Sequence, residues 1–253
     1  MNRASSLRLA VFLGFQDVQG AYHRSALGPL WSVIGLTAQL LTIGTIFGLV
    51  FEADLGNYFP YLGIGLTLWT FLAGTVNEFS GAYIAAERFL KELPLPYYFN
   101  LVRLLSKNSL LFMHNWIIVV GIAVVFPVGW NWVQLLALPG LAILLGNMFW
   151  VGTLVALASA RYRDFPPTIA TLFTVSFFVT PIVWIPARLP EGLAQLVLTL
   201  NPFYHWIELV RAPLLGVAPV FENWLTSISM LVLGNFLAWL AAKKFWWRVV
   251  YWL

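Results

Sequence analysis

The 253-residue sequence contains no cysteine and little charge. Without cysteine the chain can form no disulfide, no thiolate metal site and no cysteine nucleophile. Asp, Glu, Lys and Arg make up 9% of the residues, against about a quarter in a soluble globular domain. Hydrophobic residues make up 60%, and the mean hydropathy is +0.83. This composition is typical of an integral membrane protein.

The sequence also lacks the common motifs of nucleotide-driven and hydrolytic chemistry. No lysine is followed by Ser or Thr, so a GxxxxGK[ST] phosphate-binding loop is absent. His23, His114 and His205 lie far apart and form no HExxH motif. No GxSxG nucleophile elbow occurs either. We therefore expect one transmembrane domain over residues 1–253, with no catalytic residue, no metal site and no cofactor of its own.

Six segments are apolar and long enough to cross a membrane, since about 20 helical residues span ~30 Å of hydrocarbon. The third and fourth are separated at FPVGWNW, residues 126–132, where Pro, Gly and Asn favour a turn. Pro181 is expected to kink the fifth segment. The sequence predicts an all-α membrane protein with six transmembrane helices, over residues 30–51, 59–82, 110–126, 133–158, 166–185 and 222–243.

Basic residues fall mainly on one side of these six spans. If the N-terminus is cytoplasmic, all of the 14 Lys and Arg except Arg188 and Arg211 lie in cytoplasmic segments. Cytoplasmic loops of membrane proteins carry such an excess of Lys and Arg. We therefore expect both termini in the cytoplasm.

The N-terminal segment, residues 1–28, predicts a helix that lies in the cytoplasmic interface of the membrane. It mixes apolar side chains with Arg3 and Arg8, a pattern typical of interfacial amphipathic helices. Gly28 and Pro29 then end this helix and turn the chain into the first span, with Trp31 at the level of the lipid headgroups.

The segment between the fifth and sixth spans, residues 186–220, is too charged to cross the membrane and too apolar for a free loop. It predicts two short helices, 191–200 and 203–215, broken at Asn201-Pro202 because the residue before proline disfavours helical geometry. We expect an external re-entrant helical hairpin. An interfacial loop packed on the bundle is the alternative.

Residues 85–98, AAERFLKELPLPYY, predict a short cytoplasmic helix of mixed charge. Glu87 and Lys91 are four residues apart, as are Arg88 and Glu92, so each pair shares one helix face. Pro94 is expected to end the helix. Such a helix is either a docking surface for a partner protein or a solvated connector.

The charged sequence RYRD, residues 161–164, allows two interpretations. Asp164 precedes Phe165-Pro166-Pro167, so its side chain can cap the fifth helix while Arg161 or Arg163 pairs with it or with anionic headgroups. Alternatively, the two arginines receive the phosphate of a lipid-linked glycan through fork-like hydrogen bonds. The residues alone leave both interpretations open.

Aromatic residues are abundant, with 13 Trp, 9 Tyr and 20 Phe. Sugar rings stack on aromatic faces, so an aromatic-lined pathway would suit a glycan, whereas lipid contact or helix packing is the alternative at each position. Glu78, the one ionisable residue within a well-defined span, is either a pathway residue or a helix-packing contact. The pathway candidates are Trp31, Phe173, Phe177, Trp184, Phe203, Tyr204 and Trp206.

Several short motifs follow one another along nearly the whole chain in an order found in a known family. They are YHRSALGPLW (22–31), WTFLAGTVNEFSGAY (69–83), FLKELPLP (89–96), ARYRDF (160–165), TPIVWIPARLP (180–190) and LNPFYHWIELVRAPLLG (200–216). Together they resemble the ABC-2-type permeases that export polysaccharides, the membrane subunits of O-antigen, capsule and teichoic-acid exporters.

The resemblance implies a homodimer that pairs with two copies of a cytoplasmic ABC ATPase, which binds ATP and Mg. The cargo would be a polyprenyl-linked polysaccharide moved outward across the bacterial inner membrane, with membrane lipids and no nucleic acid as further partners. Residues 85–98 would be the coupling helix, and residues 186–220 the external gate helices. The implied ATPase contacts are Glu87, Arg88, Lys91 and Glu92, with Tyr22 and Arg24 as a second contact.

Three other functions remain open at this point. The same architecture could export a lipid, a lipo-oligosaccharide or a drug. An ion-coupled carrier or channel would work without an ATPase, but such carriers typically bury several charged partners for their ions. A membrane-embedded transferase acting on polyprenyl-linked sugars would need a clustered acidic pair for a divalent cation, which the cytoplasmic loops lack.

Overall fold

The computed structural model describes residues 3–126, 129, 131–186 and 190–253, and helices dominate these ranges. Parts of the predicted turn at 126–132, and Arg188, lie outside the described residues. The helices are α1 (Arg3–Tyr22), α2 (Leu30–Val50), α3 (Leu55–Ala85), α4 (Glu87–Glu92), α5 (Tyr98–Val125), a short 3-10 helix (Trp132–Leu136), α6 (Ala137–Arg161), α7 (Phe165–Val179), α8 (Glu191–Leu200), α9 (Pro202–Leu214) and α10 (Phe221–Trp252).

Five helical segments are long and apolar enough to cross a membrane. They are α2, α3, α5, α6 with its preceding 3-10 turn, and α10, and they coincide with the first four predicted spans and the sixth. α3 is the most buried of the five, and it contacts α2, α5, α6, α7 and α9. The bundle is therefore built around α3.

The predicted fifth span differs from the expectation, because its helix stops early. α7 has 15 residues, which at 1.5 Å per residue give about 22 Å. Thr180 adopts an extended conformation with ψ 134°, since a following proline disfavours helical geometry. The expected kink at Pro181 is thus wrong. The helix ends before this proline, and the chain from Thr180 to Ile185 is irregular.

The N-terminal helix α1 packs along α5. Its buried residues are Ser6, Ala10, Gly14 and Val18, spaced by four. Small side chains at such spacing let two helix backbones approach closely. A Cβ atom added at Gly14 would meet the carbonyl oxygen of Arg103 on α5. The larger apolar side chains of α1, such as Leu7, Phe12 and Phe15, are exposed.

The turn from α1 into α2 is made at the predicted position. Gly28 has φ 55°, a left-handed conformation that a side chain would disfavour. Its N–H donates a hydrogen bond to the Ser25 hydroxyl at 3.0 Å. Pro29 follows, and α2 begins at Leu30. α2 thus begins directly after the predicted break, but α1 already ends at Tyr22, so Gly28-Pro29 does not end the N-terminal helix as expected.

The two short helices between α7 and α10 are also confirmed, with the break at Asn201. The Asn201 side chain accepts hydrogen bonds from the N–H groups of Phe203 and Tyr204, so it caps α9. α9 packs against α3, α6 and α10. Its buried residues include His205, Trp206 and Arg211. This helix is therefore part of the core of the bundle.

Candidate functional site

The predicted cytoplasmic helix forms as α4, which is anchored by one apolar side chain. Leu90 is buried in a cluster with Tyr83 of α3, Leu101 of α5 and Val249 of α10. The helix ends at Glu92, because Leu93 adopts an extended conformation before Pro94. α4 packs against α3 and α10, and Leu90 shares an apolar cluster with residues of α3, α5 and α10.

The outward side of α4 combines charged and apolar groups. Lys91 Nζ lies 2.6 Å from Glu87 Oε1, and the hydrogen bond and charge of this lysine lower the pKa of Glu87. Arg88 and Glu92 are exposed, and no ion pair joins them within the described part of the chain. Phe89 and Leu93 are 55% and 50% exposed. Sequence reasoning missed these two, although their apolar character in a charged segment was the available signal.

The end of α1 and the helix α4 border one cavity of about 610 Å³. Tyr22 lines it from α1 and Phe89 lines it from α4. Arg24 is exposed in the turn that follows α1. The two predicted partner contacts, Tyr22 with Arg24 and α4, therefore lie on the same side of the molecule.

Two ion pairs line the same cavity, and both tie a neighbouring helix to α5. Arg103 donates two hydrogen bonds, each 2.6 Å long, to the carboxylate of Asp17 on α1. Glu78 on α3 accepts from Lys107 at 2.8 Å and from Asn108 at 2.9 Å. Glu78 therefore joins α3 to α5 and also lines the cavity, so its role in a pathway stays a prediction. An isolated acidic residue in an apolar chain indicates that it has basic partners, but it does not indicate which residues these are.

Several of the predicted pathway aromatics meet around Trp69, inside the protomer. The Trp69 ring centroid lies 5.8 Å from that of Phe173, 5.9 Å from that of Phe177 and 5.6 Å from that of Phe203. Trp206 extends this aromatic cluster, with its ring 5.5 Å from Phe203. The cluster joins α3, α7 and α9, and Phe173 and Trp206 are buried in it.

The other three pathway candidates lie outside this aromatic cluster. Trp31 is 56% exposed near the start of α2. The Trp184 indole donates a hydrogen bond to the Phe178 carbonyl at 2.9 Å. Tyr204 packs against the ring of His205. The structure thus brings four of the seven candidates together and separates the rest, and their role in transport stays a prediction.

The irregular segment after α7 is held by side chains of α3 and α9, which we call the exit clamp: Tyr58, Tyr61, Glu208 and Arg211. The Tyr58 hydroxyl donates to the Val183 carbonyl at 2.6 Å. The Pro181 carbonyl accepts from the Tyr61 hydroxyl at 2.8 Å and from Arg211 Nη1 at 2.7 Å. Irregular backbone at membrane depth requires such partners inside the protein.

Arg211 is the centre of the exit clamp. Its side chain is 1% exposed, and its guanidinium carbon lies 3.9 Å from the centroid of the Tyr61 ring. Both Nε and Nη2 donate to Glu208 Oε2, at 2.9 and 2.6 Å. In the sequence, Arg211 stands out only as an exception to the distribution of basic residues. That exception was the signal for a buried, paired arginine.

The RYRD sequence does not form the predicted cap. The Asp164 side chain makes no capping hydrogen bond to α7, and within the described residues no ion pair joins it to an arginine. Proline at the first turn of α7 has no N–H for a cap to bind. Arg161 lies instead over the rings of Tyr162 and Trp252, at 5.2 and 5.5 Å. Arg163 donates to the Leu253 carbonyl at 3.4 Å.

Comparison with known proteins identifies relatives over most of the chain. The family model described as ABC-2 type transporter matches residues 10–215. An O-antigen export system permease protein RfbA from Klebsiella pneumoniae is 23% identical over 235 residues, which cover 89% of each chain. A protein of the same name from Myxococcus xanthus is 21% identical over 195 residues, covering 77% of this chain and 75% of that one.

Proposed function

This chain belongs to the ABC-2 type transporter family, and we propose that it is the membrane subunit of an ATP-driven exporter of a lipid-linked polysaccharide of the O-antigen type. The observation that carries the proposal is the similarity to O-antigen export permeases over 89% of both chains. The absence of a nucleotide-binding motif from the sequence fits an energy source on a separate ATPase chain, which would bind ATP and Mg.

The proposed topology has six membrane crossings in the bacterial inner membrane, with both termini in the cytoplasm. The 15 residues of α7 cover about 22 Å, and the irregular residues 180–185 add up to ~3.3 Å each. Together they are long enough for ~30 Å of hydrocarbon. The exit clamp supports this crossing, because it supplies hydrogen-bond partners for the irregular backbone. α1 would lie in the cytoplasmic interface, and residues 186–220 would form the external gate.

The proposed ATPase-docking surface consists of α4 and the end of α1. The exposed Phe89 and Leu93 would enter an apolar groove on the ATPase, with the charged residues of α4 around them. Tyr22 and Arg24 would make the second contact. Because α4 packs against α3 and α10, a displacement of α4 would be passed to the membrane helices. The charged contacts are Glu87, Arg88, Lys91 and Glu92.

We further propose a homodimer in which the aromatic candidates line the pathway of the glycan during transport. In the present conformation the aromatic cluster around Trp69 is packed between α3, α7 and α9. Its rings would reach the pathway only if α7 or α9 moves away from α3. The exit clamp ties both of these helices to α3, so its release is the proposed opening step.

The composition of the purified assembly tests this function. The chain is expressed with an affinity tag in its native host, and the mass and composition of the particle that co-purifies are measured after mild solubilisation. We expect two copies of the 28.5 kDa chain with two ATPase chains. Lys91→Glu on α4 should reduce ATPase retention, whereas Glu222→Lys, at the opposite end of the bundle, should not. A stable and transport-active particle that contains only this chain would contradict the proposal.

A further inference from the structure

A narrow apolar crevice of about 270 Å³ lies between α6 and α10. Its walls include Leu154 and Ala158 of α6 and Ala241 and Phe245 of α10. Arg161 and Trp252, the last residues of α6 and α10, also line it. Because both helices end here, the crevice extends from the apolar sides of α6 and α10 to the end of the molecule that carries basic residues predicted to be cytoplasmic.

The charge at this crevice is positive and unpaired. Within the described residues, the Arg161 guanidinium has no carboxylate partner and contacts only the rings of Tyr162 and Trp252. The Lys244 ammonium lies 5.3 Å from the centroid of Phe245, whose ring is 6.0 Å from that of Trp252. Lys244 does not line the crevice, so Arg161 is the cation of its lining, which contains no Asp or Glu.

We infer that the crevice binds a phosphate-bearing lipid, with one hydrocarbon chain between α6 and α10 and its phosphate on Arg161. The combination of an unpaired guanidinium with an apolar crevice is complementary to an amphiphile of this kind, and arginine binds phosphate oxygens through two parallel N–H groups. The volume of about 270 Å³ lies just below the ~300–1,000 Å³ of small-molecule pockets. It therefore suits a segment of one chain rather than a whole lipid.

The two arginines of the RYRD sequence differ in their position relative to the crevice. Arg163 does not line the crevice, because it donates to the Leu253 carbonyl, and its charge acts on Glu87 of α4. Only Arg161 is placed to bind the phosphate. Two sources share the required chemistry, namely an anionic phospholipid of the bilayer and the polyprenyl phosphate carrier of the proposed cargo. The second source rests on the proposed function, whereas the first does not.

Lipid retention by the purified full-length protein tests the inference. Native mass spectrometry would follow the titration of phosphatidylglycerol and, separately, of undecaprenyl phosphate, with diacylglycerol as the phosphate-free control. Arg161→Ala should weaken binding by about tenfold, the loss expected for one charge-assisted hydrogen bond. Ala158→Leu should weaken it as well, because it fills the crevice and leaves the charge in place. Arg163→Ala is the matched control and should bind as the unmodified protein does.

The outcomes distinguish a bilayer phospholipid from the polyprenyl phosphate carrier, and they distinguish this inference from the proposed function. Loss of phosphatidylglycerol binding alone in Arg161→Ala would assign the site to a bilayer lipid, and loss of undecaprenyl phosphate binding alone would assign it to the cargo carrier. Equal binding by Arg161→Ala, Ala158→Leu and the unmodified protein would overturn the inference, as would equal losses in Arg161→Ala and Arg163→Ala. Neither result would alter the assembly with an ATPase, so the proposed function is tested independently.

Discussion

Replacement of Arg211 should strongly destabilise the protein. In Arg211→Met the Glu208 carboxylate loses its partner, and the Pro181 carbonyl keeps only the Tyr61 hydroxyl. Removing one member of a fully buried ion pair costs about 3–5 kcal/mol, and the cost here should be about 3 kcal/mol, because the Glu208 side chain is still 19% exposed. For a chain of this length, that corresponds to a decrease of about 10 °C in the melting temperature.

Three companion variants make this prediction specific. Arg211→Lys keeps the charge but loses the fork-like contact, so it should cost about 1–3 kcal/mol. Tyr61→Phe removes one of two donors to Pro181 O and should cost about 0.5–1.5 kcal/mol. The double variant Glu208→Met with Arg211→Met should be more stable than Arg211→Met alone, because it does not leave the half-buried Glu208 carboxylate unpaired.

Thermal unfolding in detergent, followed by fluorescence-detected gel filtration, measures all four variants. If Arg211→Met melted within 2 °C of the unmodified protein, the exit clamp would not hold the segment after α7. If the double variant melted below Arg211→Met, the unpaired Glu208 carboxylate would not be the source of the cost, and the reasoning would be refuted.

Three further substitutions test other contacts. Gly14→Ala should loosen α1 from α5, because its Cβ would meet the Arg103 carbonyl. The control Gly20→Ala, whose Cβ would have nothing within 4 Å, should be neutral or stabilising. Amide hydrogen exchange of α1 measures the difference. Asp17→Arg should uncouple ATP hydrolysis from transport in the reconstituted assembly, and Arg103→Asp in the same chain should restore part of the coupling; absence of any rescue would argue against the ion pair. Trp69→Ala should cost about 3–5 kcal/mol through loss of the aromatic cluster, and an unchanged melting curve would show that the cluster carries no packing energy.

Local chain chemistry was sufficient to predict most helix boundaries. The absence of charge over long runs located five spans, and Pro94 and Asn201-Pro202 marked the ends of α4 and α8 correctly. Each of these features depends on residues within one turn of the boundary. For Pro181 the sequence also marked a perturbation, but whether proline kinks or ends a helix depends on partners for the freed carbonyls. Tyr58, Tyr61 and Arg211 provide those partners from distant helices.

Contacts between distant helices were not predictable from one sequence. Asp17 and Arg103 are 86 residues apart, and nothing in their local surroundings selects this pairing over another. The Glu78 contact with Lys107 and Asn108 depends likewise on how α3 packs against α5. Phe173 and Trp206 are buried in the aromatic cluster around Trp69. Trp69 lies on α3, so the spacing of residues along α7 alone does not predict this burial.

Export of polysaccharide by intact cells tests the central claim most directly. The gene is deleted in its host and replaced by the unmodified gene or by the Lys91→Glu variant, and surface glycan and cell-internal lipid-linked glycan are both quantified. The account predicts that deletion removes the surface glycan and accumulates the lipid-linked form inside, that the unmodified gene restores export, and that Lys91→Glu restores less of it. Normal surface glycan in the deletion strain, with no internal accumulation, would contradict the assignment of this chain as a polysaccharide exporter.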